Sequence, residues 1–362
     1  MRIAQIATLA TPVRQERSDS IEYLVWLLTR ELTRLGHEVT VFATRGSEID
    51  GELVATLPGT YCSQGVPDDW QLCEWINLCR ALEQSDRFDV LHSHAYLWGL
   101  PIERLARAPI VHTFHLWPYE NETRLRALFP DACVTAISNF QWSAHPQFPP
   151  AAVIHHGVDC GQFTLRRESE DYVCYLGRFT QGKGPLEAIA AARDLGLRLR
   201  LAGPADEYYR RHVAPHVDGQ HVEYVGYVAG AAKDQFLGGA RALLYPLRDP
   251  EPFGLVQVEA MLCGTPVIAM RVGAVPEIID DGVTGYCANS LDEFREHVLR
   301  SFSLDRAAVR ARAEARFSAG RMAEQYVELY ERLARSDGRR QGKSAPARRG
   351  QPRERTGLGW RP

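Results

Sequence analysis

Short apolar runs alternate with segments of helical spacing along most of this chain, and that alternation admits few folds. Arg2 to Ala7 reads as a buried strand. Ile21, Leu24, Val25, Leu28, Leu32 and Leu35 then recur at helical spacing up to Gly36, and Val39 to Ala43 forms the next strand. Further strand-like runs stand at Val90 to His92, Ile110 to Thr113 and Val134 to Ile137, with helical patterns such as Trp70 to Leu82 between them. A second series opens with Tyr172 to Leu176 and continues through Leu199 to Ala202, Val222 to Val225, Ala242 to Tyr245 and Val267 to Ala269. Strands that alternate with helices predict parallel, doubly wound α/β sheets with right-handed crossovers. The 362 residues exceed one ordinary core of roughly 150 residues. Two Rossmann-like domains are therefore expected, residues 1–158 and 172–318, joined by a hydrophilic linker at 159–171. A last helix at 319–335 and a tail at 336–362 follow.

Charge separates the tail from the rest. Residues 336–362 carry 8 Lys/Arg and 2 Asp/Glu, which leaves 34 against 43 for the remainder. The tail is rich in Gly, Pro and Arg without apolar periodicity, so it reads as disordered, with peripheral contact to a membrane as one use of its charge. No nucleic-acid partner is expected. No apolar stretch approaches the ~18 residues needed to span a bilayer, and the first residues read as a strand and not as a signal peptide. The eight cysteines have no C-x-x-C spacing and read as free thiols in a reducing compartment, so the expected location is the cytoplasm.

The most informative stretch runs from Glu251 to Ile268, Glu-Pro-Phe-Gly-Leu-Val-Gln-Val-Glu-Ala-Met-Leu-Cys-Gly-Thr-Pro-Val-Ile. It reads loop, helix, loop, strand. Gly254, Leu255 and Val256 open the helix, where backbone N–H groups lack internal partners and the dipole is positive, so an anion can sit there. Glu251 precedes the helix and Glu259 lies about one turn inside it. Carboxylates accept strong charge-assisted bonds from hydroxyls. Two acidic residues alone are an ordinary surface feature; a phosphate site between two carboxylates suits a nucleoside diphosphate sugar.

This string resembles the donor signature of the retaining GT-B glycosyltransferases of family 4, the glycogen-synthase-like group 1 enzymes: E-P-F-G-L-x-x-x-E-A-x-x-x-G-x-P-V-I. The resemblance implies the GT-B fold, two Rossmann-like domains facing an interdomain cleft, with ligands at the carboxyl ends of the strands. Gly177-Arg178-Phe179-Thr180-Gln181-Gly182-Lys183-Gly184, directly after the first strand of the second series, matches the family's G-R-x-x-x-x-K-G motif. By that match Arg178 and Lys183 hold the diphosphate, as a fork and a point charge. Glu259 then holds the ribose hydroxyls, Glu251 contacts the donor sugar, and Phe253, Gly254, Leu255 and Val256 offer backbone to sugar and phosphate. The Gly203-Pro204 turn and Tyr227-Val228 flank the base.

In the first half His92, His94, His112 and His115 stand near predicted strand ends. No H-E-x-x-H string supports a metal there, and no metal or cofactor is expected beyond the UDP- or GDP-linked co-substrate. His115, in Thr113-Phe114-His115, matches the family histidine that faces the donor sugar. One stretch departs from the family. A Gly-Gly loop usually follows the first strand, and here the chain reads Pro12-Val13-Arg14-Gln15-Glu16-Arg17-Ser18-Asp19-Ser20-Ile21-Glu22, with Ser18, Asp19 or Ser20 as candidate helix caps. Side chains in place of glycine hinder close backbone approach, which bears on acceptor recognition. Residues 44–75 are expected to shape the acceptor site as a loop.

The implied activity is retaining, metal-independent transfer of a hexose from a nucleoside diphosphate sugar to a hydroxyl acceptor, by same-face attack without a covalent nucleophile. Alternatives are an epimerase or phosphorylase of the same fold, or a non-catalytic nucleotide-sugar-binding partner subunit. A dehydrogenase is excluded by the lack of G-x-G-x-x-G after either first strand.

Overall fold

In a computed structural model of the chain, residues 1–15, 20–61, 63 and 65–341 are described. The candidate caps Ser18 and Asp19, the side chain of Ser20 and the basic stretch 342–362 lie outside them. Seven parallel strands make the first sheet: β1 (Arg2–Ile6), β2 (Glu38–Thr44), β3 (Glu52–Leu57), β4 (Val90–Ser93), β5 (Ile110–Thr113), β6 (Cys133–Ala136) and β7 (Ala152–Val153). Their order is β3-β2-β1-β4-β5-β6-β7. The second sheet holds β8 (Val173–Leu176), β9 (Leu199–Ala202), β10 (Val222–Gly226), β11 (Leu243–Tyr245), β12 (Val267–Met270) and β13 (Gly285–Ala288), ordered β10-β9-β8-β11-β12-β13.

Ten α-helices among the described residues complete the order: α1 (Ser20–Arg34), α2 (Trp70–Glu83), α3 (Glu120–Leu128), α4 (Pro185–Asp194), α5 (Gly230–Gly239), α6 (Leu255–Leu262), α7 (Val275–Ile278), α8 (Leu291–Ser301), α9 (Arg306–Phe317) and α10 (Ala319–Gln341). Central strands are apolar and buried on both faces, as parallel sheets between helices require; Val39, Val41, Phe42 and Ala43 of β2 are all buried. In both sheets the strand order reverses once, at β1/β4 and at β8/β11. Chain leaving the carboxyl ends of two such strands turns to opposite sides, which opens a crevice between the loops.

Two expectations are corrected. Residues 44–75 are not all loop, because Glu52 to Leu57 pairs with β2 as the edge strand β3; its partly exposed side chains hide the strand signal. The last helix also runs to Gln341, so residues 336–341, read as tail, are helical.

α10 returns to the first sheet. Met322, Ala323, Tyr326, Leu329 and Tyr330 share a buried cluster with Ile3, Val25, Leu28, Leu32 and Val39. The outgoing and returning segments touch: Val158 N–H donates to Phe317 O at 2.8 Å and Ala319 N–H to Val158 O at 3.0 Å. Glu277 of α7 reaches across to the first half, accepting from Asn139 N–H and Phe140 N–H at 2.8 and 2.7 Å. No helix among the described residues is long and apolar enough to cross a membrane.

Candidate active site

The loops after β8 and β11 meet at the second sheet's crevice. Arg248 and Asp249 N–H both donate to Gly182 O, at 2.8 and 3.1 Å. This stitching sets Lys183 directly against Glu251, whose carboxylate also accepts from the Tyr245 hydroxyl at the end of β11. Both charged side chains are about four-fifths buried. Burial, together with the Arg178 guanidinium, pulls the Lys183 ammonium down to about 8. Arg178 itself is exposed.

Gly254 is the residue before α6 and has φ +99°, a left-handed conformation that side chains resist. A Cβ there would stand 2.5 Å from Gln257 Nε2 and 3.2 Å from both Glu251 Oε2 and the Tyr245 hydroxyl. Glycine is thus what lets the chain turn beside Glu251. It also leaves the start of α6, at Leu255 and Val256, without a side-chain cap, so the helix's unpaired donors remain available to an anion. The Phe253 ring is buried against Phe317 and the imidazoles of His155 and His156.

Glu259 sits on α6 and accepts from Lys233 Nζ of α5 at 2.6 Å. Gly177 follows β8 and Gly203 follows β9, so close that a Cβ on Gly203 would collide with the Gly177 carbonyl oxygen. Gly203 N–H donates to Gly226 O at 3.0 Å, which places Tyr227 and Val228 at the same edge. Tyr227 is 76% exposed, while Val228 packs on the second sheet's core.

The histidines of the first half form a hydrogen-bonded chain. His94 Nε2 faces Gln5 Oε1 at 2.7 Å, and His94 Nδ1 faces His115 Nε2 at 2.9 Å. With the Gln5 oxygen accepting, His94 carries its proton on Nε2 and accepts from His115 on Nδ1. His115 Nδ1 is then a lone pair, and it has no partner among the described residues. Burial holds His115 down to about 3 and keeps it neutral. The His115 ring stacks on His156 at 5.2 Å, and His156 meets Phe253 at 5.2 Å, which joins this chain to the glutamate loop. His92 is drawn instead to the Tyr330 and Thr113 hydroxyls, and His112 to Glu103 at 3.2 Å. Among the described residues no three His, Cys, Asp or Glu side chains converge as a metal-binding group.

The structure therefore gathers Lys183, Glu251, Gly254, Leu255, Val256 and Phe253 in one place, with His115 joined to it through His156. Sequence reading gave no place in this site to Tyr245, Lys233, His94 or His156. Tyr245 was findable as the last residue of a predicted strand; the other three owe their place to contacts between distant elements.

Comparison with known proteins gives the same picture. Residues 162–316 match the family of group 1 glycosyl transferases and residues 21–162 match glycosyltransferase family 4. The chain belongs to the GT-B glycosyltransferases of these families. Among curated relatives of this glycosyltransferase is the D-inositol 3-phosphate glycosyltransferase of Mycolicibacterium gilvum, 27% identical over 349 residues, 80% of this chain and 78% of the relative. Its Mycobacterium tuberculosis H37Ra counterpart is 28% identical, over 88% of this chain and 79% of that one. Similar solved structures include a sucrose-phosphate synthase from Thermosynechococcus elongatus, with a TM-score of 0.76 and 20% identity over 92% of this chain and 99% of that one. AviGT4, a glycosyltransferase involved in avilamycin A biosynthesis, gives 0.68 and 27% over 92% and 98%. Anabaena HepE in complex with UDP and glucose gives 0.68 and 19% over 92% and 100%.

Proposed function

We propose that this glycosyltransferase moves a hexose from a UDP-linked donor to a hydroxyl acceptor with retention of anomeric configuration. The observation that carries the reading is the convergence of Lys183, Glu251 and the Gly254 turn at the uncapped start of α6. As the bond from the sugar carbon to the β-phosphate oxygen breaks, negative charge grows on that oxygen. Lys183, Arg178 and the N–H groups of Leu255 and Val256 supply fixed positive charge to it without help from a metal. The acceptor oxygen bonds to the same face of the sugar carbon, and its proton passes to the departing phosphate.

Donor binding replaces the Lys183–Glu251 contact: the ammonium turns to the diphosphate and the carboxylate to sugar hydroxyls. Glu259 holds the ribose hydroxyls while Lys233 holds Glu259, and Gly177, Gly203, Tyr227 and Val228 flank the base. The bare Nδ1 of His115 accepts a hydrogen bond from the donor sugar across the cleft. Residues 1–158 are on this reading the acceptor side and 172–318 the donor side. The uridine donors in the similar Anabaena complexes favour UDP over GDP. The seven described cysteines are free thiols, which supports a reducing, cytoplasmic setting.

A thermal-shift panel of nucleoside diphosphates and their sugars tests the donor. A ligand at 100 times its dissociation constant adds about 2.7 kcal/mol of stability. A shift with UDP and UDP-hexoses that is lost in Lys183→Ala is expected, followed by an NMR assignment of the product's anomeric configuration. No shift with any of them overturns the reading, and an inverted product overturns the retaining course.

A further inference from the structure

The first sheet has its own crevice at the β1/β4 reversal, and an unusual set of side chains lines it. Glu22 of α1 and Glu74 of α2, both buried, grip the loop after β1. Glu22 Oε1 accepts from the Thr8 hydroxyl at 2.7 Å and from Ala10 N–H at 3.1 Å. Glu74 Oε1 accepts from Leu9 N–H at 2.9 Å and from the Tyr61 hydroxyl. Glu74 Oε2 is buried and has no partner among the described residues, although the residue is fully shielded from solvent. A buried carboxylate oxygen left bare costs stability, so such an atom calls for an explanation.

Beside this carboxylate stands an aromatic wall. Trp70 and Glu74 are four residues apart on α2 and share one face of the helix. The Trp70 ring lies 5.1 Å from Trp98, 5.7 Å from Tyr96 and 6.3 Å from Tyr61. Trp70 is 40% exposed, a large area for an indole. Tyr96 follows β4 with φ +53° and is the one non-glycine at positive φ among the described residues; such strain gathers where a side chain must be aimed. Its hydroxyl is kept protonated by burial and by the charges of Glu74 and Glu22.

We infer that this crevice is the acceptor subsite and that it takes a neutral pyranose, with an apolar ring face laid on Trp70 and a hydroxyl donated to Glu74 Oε2. The inference rests on the glycosyltransferase reading above and adds the acceptor's chemical class. A sugar ring has both an apolar face and a rim of donors, which matches an aromatic wall with a bare acceptor at its foot. Above about pH 7, where Glu74 is ionised, its carboxylate accepts the hydroxyl of a neutral sugar and repels a phosphorylated acceptor. A wholly apolar aglycone would leave Glu74 Oε2 unpaired and desolvated. The subsite lies at the carboxyl ends of β1 and β4, and His94, two residues before Tyr96, is hydrogen-bonded to His115, so acceptor and donor groups meet on one edge.

The test uses the full chain with UDP-hexose, following UDP release with neutral methyl pyranosides, their phosphate esters, an inositol phosphate and a flat aromatic alcohol. Neutral pyranosides are expected to raise UDP release above the acceptor-free hydrolysis rate and to quench tryptophan fluorescence. Trp70→Ala, a change at a half-exposed ring, should raise the pyranoside KM by about 10-fold while the donor's dissociation constant, measured by calorimetry without acceptor, stays the same. A phosphate ester or the aromatic alcohol preferred over every neutral pyranoside overturns the inference, and so does an unchanged KM in Trp70→Ala. In each of those cases donor binding persists and the transferase reading stands. Absence of donor binding in the wild type removes both.

Discussion

Lys183 offers a way to read the phosphate site through its own titration. Burial and Arg178 set the free ammonium at about 8, so the side chain is charged in about nine molecules of ten near pH 7 and in about one of ten near pH 9. A diphosphate that takes the place of the Glu251 carboxylate brings more negative charge to the ammonium and so raises that pKa. The bound state then holds more protons than the free state above pH 8, and donor affinity must fall as pH rises. The fall from about pH 7 to about pH 9 is roughly 10-fold, about 1.4 kcal/mol. His115, held down to about 3, and Tyr245, pushed far up by burial, do not titrate in that interval. Calorimetric titration of a nucleoside diphosphate sugar at fixed ionic strength measures the slope, with Lys183→Arg, charged throughout, as the reference that cancels titration of the base. Wild-type and Lys183→Arg profiles that run parallel, whatever their absolute affinities, would refute the assignment of Lys183 to the diphosphate.

Gly254→Ala places a Cβ in a left-handed turn, at a cost of about 1–2 kcal/mol, beside Glu251 and Gln257; thermal unfolding should drop by several degrees and donor binding should weaken with it, and an unchanged melting temperature contradicts the geometry. Glu74 is raised by burial to about 7, so between the unfolded carboxyl value and about 7 the folded state binds the extra proton. Its contribution to stability is therefore complete below the unfolded value and is lost as pH rises through about 7, by about 3 kcal/mol. Denaturant unfolding from about pH 5 to pH 8 should show Glu74→Gln flattening that decline, and an identical profile in both proteins would count against it.

The meeting of Lys183, Glu251 and the Gly254 turn was largely legible because the motifs that hold them are local. Glu251, Gly254 and Glu259 lie within one loop-helix unit, and Lys183 stands in the loop that leaves β8, so spacing alone brings them near one crevice. Strand positions followed from the apolar runs, with Ile110–Thr113 and Leu199–Ala202 found where they were expected. What stayed hidden depends on contacts between distant segments. Lys233 meets Glu259 only because α5 packs beside α6, and His94 reaches His115 only because β4 and β5 are neighbours. The Glu22, Glu74 and Trp70 cluster draws on two helices and two loops, and an ordinary acidic residue in a helix gives no hint that it will be buried. β3 was missed because an edge strand need not be apolar.

The return of α10 to the first sheet also sets an order of events during synthesis. Residues 1–158 leave the ribosome without Met322, Tyr326 and Tyr330, which cover part of their core and hold His92 and Gln5 in place. The second sheet has all its strands by Ala288. The half made first is thus finished last, the reverse of the usual succession of domains, and until α10 emerges it presents an apolar strip over α1 to whatever chaperone or nascent neighbour is at hand.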